Sequence, residues 1–242
     1  MKKSMVAALI GLAVGLGSVS NSQAEEKTRS WNWSPLGIGI AAPLQLPFME
    51  TDIYGIRFGG FFGANNDVYG LDVGVAELVK GDFAGVQAAA FTWTEGAAYG
   101  LQVGALANVV DGRVFGLQAG CFNVDWAGMT GLQLGLMNYD IDFTGLQLGV
   151  LNWDTAVSAG CQLGVVNVDN DEFTGAAIGV VNYGSSFTGF QLGVLNTVQT
   201  MTGCQIGLVN GCEKMKGLQI GLFNLISGNQ KLPIMVLANA SF

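Results

Sequence analysis

The chain has no histidine, only four prolines, and charged residues at just 12% of its 242 positions. Without histidine it lacks both the usual base of catalytic triads and the commonest protein metal ligand. Positive charge is especially scarce, since neither Lys nor Arg occurs between Val114 and Gly211. The formal net charge of −8 argues against a nucleic-acid partner, because such proteins need a basic surface.

Glycine and apolar residues make up most of the remainder, with 37 glycines and 50% hydrophobic residues. A disordered chain would be poor in apolar residues and rich in charge, so disorder is excluded. The glycines show neither a GxxxxGK motif nor a GxGxxG between a strand and a helix, so they do not predict a phosphate site. We expect no catalytic, cofactor-binding or metal-binding residues, and the protein is predicted not to be an enzyme.

Residues 1–24 have the features of an export signal. A basic start is followed by the apolar stretch Met5–Leu16 and by a small-x-small cleavage site at Ser22–Ala24. The apolar stretch is short and interrupted by glycine, which favours a cleaved signal over a membrane anchor. Residues 25–32 are predicted to form a loose polar leader, and the mature protein is expected to be exported.

A repeated octapeptide organises the rest of the chain, and its clearest copy is GLQLGLMN at Gly131–Asn138. The copies follow each other at steps of 14, 15 or 16 residues. Such regularity indicates a structural repeat, not a site for chemistry. The opening glycines are Gly55, Gly70, Gly85, Gly100, Gly116, Gly131, Gly145, Gly160, Gly175, Gly189, Gly203 and Gly217.

Two amide positions recur within the repeat when the opening glycine is numbered 0. Glutamine occupies position 2 in nine copies, from Gln87 through Gln219. Asparagine occupies position 7 in eight consecutive copies: Asn123, Asn138, Asn152, Asn167, Asn182, Asn196, Asn210 and Asn224. As repeated features, both are interpreted as parts of the fold.

Each unit alternates with a period of two, which is typical of a β-strand. One side of the predicted strand is an aliphatic stripe, and the other carries glycine and glutamine with aromatic or sulfur-containing residues at its ends. The strand is expected to span about 11 residues, and frequent glycine would cost a helix about 1 kcal/mol each. The sequence therefore predicts an all-β protein of about 14 strands.

Two architectures use one strand per repeat. In an antiparallel meander, closed as an outer-membrane-type β-barrel, each strand has nearly the length needed to cross a bilayer at a tilt. The aliphatic stripe would face lipid, and the terminal aromatic residues would lie near the membrane interfaces. The final residues, which alternate and end in Phe242, resemble the C-terminal assembly signal of such barrels. We prefer this architecture.

The alternative is a parallel β-solenoid, in which repeats stack and identical asparagines form a hydrogen-bonded ladder. The asparagine column and the variant end units favour it. The difficulty is space, because a coil of 14 or 15 residues leaves room for only about four or five inward side chains. Three leucines and a phenylalanine per coil would hardly fit there.

One β-repeat domain is predicted over residues 33–242. It begins with an atypical strand at 36–48, whose prolines suit a sheet edge. The repeats occupy 55–224, and a last strand is expected at 232–242.

The four cysteines are Cys121, Cys161, Cys204 and Cys212. They replace aliphatic residues in different units, so they are interpreted as small apolar fillers. The sequence does not assign them a disulfide.

Acidic residues between the predicted strands, such as Asp140, Asp142, Asp169, Asp171 and Glu172, could suggest calcium ligands. They lack the glycine and the ligand spacing of a known calcium loop. We interpret them as turn-forming, solubilising residues.

The run GLQLGLMN, GLQLGVLN, GCQLGVVN, GFQLGVLN, GCQIGLVN and GLQIGLFN resembles a surface-repeat family of bacteria with outer membranes. In that family GLQIGLVN-like units recur every 14 or 15 residues behind a signal peptide. The likeness covers Tyr54–Asn224, and Asp52–Gly74 also resembles the family's entry into its repeat. It implies an exported protein at the outer membrane or cell surface of a diderm bacterium, without an established ligand.

Two functions follow as expectations. The first is a non-enzymatic outer-membrane or cell-surface protein with a structural, interaction or passive-pore role and outer-membrane lipid as its partner. The second is a secreted or surface-attached β-solenoid that acts as a binding or structural module.

Overall fold

A computed structural model describes residues 32–41, 44–228 and 233–241, all within the compact unit Asn32–Phe242. The predicted export signal and residues 25–31 of the predicted leader lie outside the described residues. Strands are the only regular secondary structure among the described residues. The prediction of an all-β protein is confirmed.

The described residues form fifteen strands. Their bounds are β1 Trp33–Ala41, β2 Leu44–Leu46, β3 Asp52–Asn65, β4 Val68–Val73, β5 Ala76–Val79, β6 Phe83–Thr94, β7 Ala98–Val110, β8 Val114–Asp125, β9 Met129–Asp140, β10 Phe143–Leu148, β11 Leu151–Asp154, β12 Ser158–Leu163, β13 Val166–Ile178, β14 Val181–Ile226 and β15 Ile234–Ser241.

Neighbouring repeats pair in parallel, so the chain winds as a β-solenoid and the predicted antiparallel barrel is wrong. Equivalent residues face each other across the sheet, as Gly145 faces Gly131 and Gly160. Each turn of the winding, from the second residue before one opening glycine to the third residue before the next, is called a coil below. The same register holds at the asparagines, where Asn152 faces Asn138 and Asn167. This parallel stack is the architecture given above as the alternative to the barrel.

Some coils contain two separate strands, whereas in others, such as those of β8 and β9, one strand continues through the bend. In the coil that opens at Gly145, β10 ends at Leu148 and β11 begins at Leu151. The turn at Gly149 reverses the alternation, since Gln147 and Asn152 are both buried although they are five residues apart. In an unbroken strand, residues five apart would lie on opposite faces. The prediction of one continuous strand per unit is therefore wrong for the coil at Gly145.

Antiparallel pairing occurs at the two ends of the described stack. At the first end β1 pairs in parallel with β3, and β2 folds back antiparallel to β1. Gln45 of β2 receives a hydrogen bond from Ala64 N and donates one to Ala64 O. At the other end β15 runs antiparallel to β14. These atypical strands cover coil edges whose backbone groups would otherwise lack partners.

Candidate functional site: the polar interior and the apolar exterior

The interior of the solenoid is largely polar, with one apolar column at the second residue before the opening glycine, and the aliphatic stripe lies outside. This placement reverses the one expected for a solenoid. In the coil at Gly145, the inward residues are Phe143, Gln147, Asn152 and Asp154, all at 0% exposure. Leucines at positions 1 and 3 of the repeat lie on the outside and are only partly covered. The narrow coil does admit four side chains, as the spacing indicated, and three of the four form hydrogen bonds along the stack.

The buried asparagines form a continuous hydrogen-bonded ladder. Each Nδ2 donates to Oδ1 of the next asparagine toward the C-terminus at 2.7–2.8 Å, from Asn108 to Asn224. Most of these amides also donate to the carbonyl of the residue at position 3 in the following coil, as Asn167 does to Ile178 O. Because both the donors and the acceptors of the amide are hydrogen-bonded, burial of this column leaves no amide group without a partner.

Asn108 belongs to the ladder although the repeat numbering omits it. Its coil carries one extra residue, and the pairing of β7 with β8 shifts register between Gly104 and Ala107. This bulge returns Asn108 to the register of Asn123. A fixed offset from the opening glycine misses Asn108, whereas an offset that allows one inserted residue finds it.

Substitution of Asn167 by alanine is expected to lower the free energy of unfolding by about 2–3 kcal/mol, because Asn152 Nδ2 and Asn182 Oδ1 each lose a partner in the buried column. Chemical denaturation followed by circular dichroism measures the change. Asn170→Ala serves as the control, since Asn170 is exposed in the same coil. Equal stability of the two variants would show that the ladder does not stabilise the fold.

The glutamines form a second ladder that donates in the opposite direction. Each Nε2 donates to Oε1 of the preceding glutamine at 2.7–3.2 Å. At its N-terminal end Gln87 donates to Asp72 Oδ2 at 2.7 Å. The ladder is interrupted where Ala177 takes the place of glutamine. The two amide columns therefore carry opposed dipoles through the interior.

Four aspartates at position 9 form a third buried column: Asp125, Asp140, Asp154 and Asp169. The glutamine amides connect its members. Gln147 Nε2 donates to Asp140 Oδ2 at 2.6 Å and to Asp154 Oδ1 at 3.0 Å. Gln133 and Gln162 connect the other neighbours in the same way. The interpretation of Asp140 and Asp169 as turn residues is thus wrong, because they share the inward parity of the asparagine at position 7.

Burial raises the pKa of every carboxyl group in this column. The pKa of Asp125 and of Asp154 rises to about 7, although hydrogen bonds from glutamine amides act against the shift. Burial raises the pKa of Asp140 well above its usual value, and the charges of Asp125 and Asp154 raise it further. The pKa of Asp169 also rises, through burial and then the charge of Asp154. The column consequently retains protons at neutral pH.

A buried ion pair lies in the first coils. Arg57 donates from Nε and Nη2 to the two carboxylate oxygens of Asp72 at 2.7 and 2.6 Å. Glu77 Oε2 is 3.1 Å from Arg57 Nη2. Burial, with the charge of Asp72 second, raises the pKa of Glu77 to about 8 despite the opposing charge of Arg57. This cluster ends the glutamine ladder, because Gln87 donates to Asp72.

The outside of the stack bears an apolar ridge, formed by the residue at position 5 of successive coils. Its members are 46–57% exposed. The ridge consists of Leu136, Val150, Val165, Val180, Val194, Leu208 and Leu222. On either side of it lie the outward residues of the two strand segments, mostly leucine, isoleucine, valine and phenylalanine. Two apolar faces thus meet along this ridge.

Charge is confined to the remaining side of the solenoid. Between Gly55 and Gly228, the charged residues that are not buried lie between position 10 and the third residue before the next opening glycine, with Lys216 as the exception. Arg113 and Asp142 form an ion pair on this polar side, with 2.7 Å between Nη2 and Oδ2. The cross-section is therefore amphipathic, as a helix on a membrane surface is.

Aromatic residues lie at both borders between the apolar faces and the polar side, at one border in the early coils and at the other border in later coils. Tyr54 stacks on Tyr69 with ring centroids 4.9 Å apart at one border. At the other border Tyr139 and Trp153 pack at 5.9 Å. Such side chains combine an apolar ring with a polar tip and are suited to a boundary between hydrocarbon and water.

The cysteines are free thiols in this fold. Cys161 and Cys204 lie on the outer surface at the position of a repeat leucine, and burial raises the pKa of both. Cys212 is buried, and the same cause raises its pKa to about 11. Cys161, Cys204 and Cys212 therefore remain protonated at neutral pH, which lowers their reactivity.

The described residues contain no group of three or more Asp, Glu or Cys that could hold a metal ion. In the part of the chain that the structure describes, no helix is long and apolar enough to cross a membrane.

These features define a class of protein, a parallel β-solenoid whose interior is built from amide and carboxyl ladders and whose exterior is largely apolar. Comparison with known proteins gives no closer assignment, since no protein-family model, curated protein or solved structure matches the chain.

Proposed function

We propose that the protein is a non-enzymatic, exported β-solenoid that attaches to a lipid membrane surface through its two apolar faces and acts as a binding or structural module. The observation that carries the proposal is the separation of exposed charge from the apolar ridge along the coils. A monomer in water rarely exposes so large an apolar surface, which marks a contact with lipid or protein.

Two features support lipid over a protein partner. The borders carry tyrosine and tryptophan, which favour the membrane interface. The ridge also repeats the same side chains without charges that would select a partner surface. The resemblance to bacterial surface repeats and the export signal agree with a location at the outer membrane or cell surface.

The polar interior supports a role other than catalysis. Most of the glutamine, asparagine and aspartate side chains of the three columns are hydrogen-bonded between coils, and they lie at 0–2% exposure. Groups held in this way stabilise the stack and do not reach a substrate. A second copy covering the apolar faces is the competing outcome of the test below.

Sedimentation with phosphatidylcholine vesicles tests the attachment. The mature chain is expected to bind these neutral vesicles. It is expected to bind anionic vesicles less, because the full sequence has a formal charge of −8 and removal of Lys2 and Lys3 makes the charge more negative. The variant Val150→Asp/Val180→Asp places charge on the ridge in two alternate coils. It is expected to reduce vesicle binding on the order of tenfold or more, because a carboxylate must be kept out of hydrocarbon.

The matched control is Thr155→Asp/Ser185→Asp, which adds the same charge to the polar side of the same two coils. It is expected to bind vesicles as the unchanged protein does. Equal loss in both double variants would contradict attachment through the ridge. A dimer in light scattering that fails to bind vesicles and is disrupted by the ridge variant alone would assign the faces to a second copy.

A further inference from the structure

The glutamine ladder is broken at one coil in the middle of the stack. In the register of the sheet Ala177 faces Gln162 on one side and Gln191 on the other. All three residues have 0% exposure. The alanine methyl group cannot form the two hydrogen bonds that a glutamine would make there.

The break leaves one acceptor and one donor without partners. Gln162 uses Nε2 toward Gln147 Oε1, but its own Oε1 is buried and unpaired. Gln191 accepts from Gln205 Nε2 through Oε1, and its Nε2 is buried and unpaired. These are the two atoms that a glutamine at position 177 would have joined. A buried polar group left without its hydrogen bond destabilises the folded state.

The same coil also lacks a side chain at position 9, because Gly184 occupies the place that an aspartate takes in the preceding coils. A Cβ at Gly184 would lie 3.1 Å from Asp169 O and 3.6 Å from Val198 Cγ1. Asp169, the last carboxyl of the column, therefore has no fifth carboxyl above it. The ring of Phe173 lies in this coil and stacks on Phe187 at 5.0 Å. The site thus has polar groups at its two ends and an aromatic wall.

We propose that the break at Ala177 is a built internal site for water, which continues the ladder by donating to Gln162 Oε1 and accepting from Gln191 Nε2. A missing carboxamide and methylene group leave space on the order of one or two water molecules, each with about 30 Å³ in the liquid. Water combines a donor and an acceptor, as the missing amide does. Larger ligands are excluded, because the surrounding side chains seal the site from solvent.

A crystal structure of the mature protein at a resolution that shows ordered water tests the proposal directly. Solvent density within hydrogen-bond distance of both Gln162 Oε1 and Gln191 Nε2 is expected. In solution, nuclear Overhauser contacts between water and the Gln191 side-chain amide protons are expected as well. An empty space, or an amide of Gln191 that points at the Phe173 ring without water, would overturn the proposal.

Two substitutions provide matched variants. Ala177→Gln is expected to expel the water, to restore the bonds on both sides and to raise the melting temperature by about 2–4 °C. Ala177→Leu supplies similar volume without polar atoms and is expected to lower the melting temperature. If leucine stabilises the protein as much as glutamine does, the site is apolar and holds no water. The solvent density of the unchanged protein decides the question even if a variant does not fold.

Discussion

The protein is expected to lose several kcal/mol of its free energy of unfolding as the pH is raised from 5 to 9. The buried column of Asp125, Asp140, Asp154 and Asp169 holds protons that the unfolded chain would release near pH 4. Each unit of pKa difference between the folded and unfolded states corresponds to about 1.4 kcal/mol. The effect is therefore large for a single domain.

The sign follows from proton binding. Between the unfolded pKa and the raised folded pKa, the folded state binds more protons, so stability falls as the pH rises. The contribution is complete below about pH 4 and disappears as the pH passes through about 7, the pKa of Asp125 and Asp154. Glu77, whose pKa is about 8, acts in the same direction. Ionisation of neighbouring carboxyls in one dry column is further opposed by their mutual repulsion.

Urea unfolding at several pH values measures this dependence. Asp125→Asn/Asp154→Asn is the informative variant, because asparagine keeps an acceptor for the glutamine amides without ionising. Its stability is expected to vary less with pH and to exceed that of the unchanged protein above pH 8. A protein whose stability rises from pH 5 to 9 would contradict the buried column.

The second large effect is expected for an opening glycine. Gly145 has φ of +141°, a conformation that other residues rarely adopt. A Cβ there would lie 2.0 Å from Gly131 O of the coil below. Gly145→Ala is expected to destabilise the protein by more than about 3 kcal/mol or to prevent folding, since backbone on both sides must move. Circular dichroism and denaturant titration measure the outcome.

Gly211 provides the control, because the nearest atom to an added Cβ is 3.8 Å away. Gly211→Ala is expected to leave stability unchanged or to raise it by about 0.4–1 kcal/mol through the entropy of the unfolded chain. If both alanine variants have the same free energy of unfolding, the close contact between opening glycines does not determine the coil spacing.

Much of the fold could be predicted from the repeat. The fixed step and the alternation indicate strands, and the column of identical asparagines indicates a ladder if repeats stack in parallel. The residues of the candidate site are harder to predict from the sequence. The sequence pattern does not single out Asp125 and Asp154, and it assigns Asp140 and Asp169 to turns. The reason is that the pattern does not reveal the reversal of alternation at Gly149 and its equivalents.

Hydrophobicity was the misleading signal. The aliphatic stripe of GLQLGVLN suggested either lipid around a barrel or a leucine-filled stack, and the amides were expected to contribute less. In a coil this narrow, four inward side chains fill the space. Amides that bond to the same residue one coil away lose little on burial. The leucines remain outside, where they form the faces proposed to contact lipid.

The sequence by itself determined the repeat, its strand character, the spacing of the opening glycines and the alignment of glutamine and asparagine. Only the tertiary structure decided that neighbouring repeats run parallel and that the polar side of each strand faces inward. The physical reason is that a period of two defines two faces without saying which is buried. That choice depends on the turn within each coil and on hydrogen bonds between coils, which no single repeat contains.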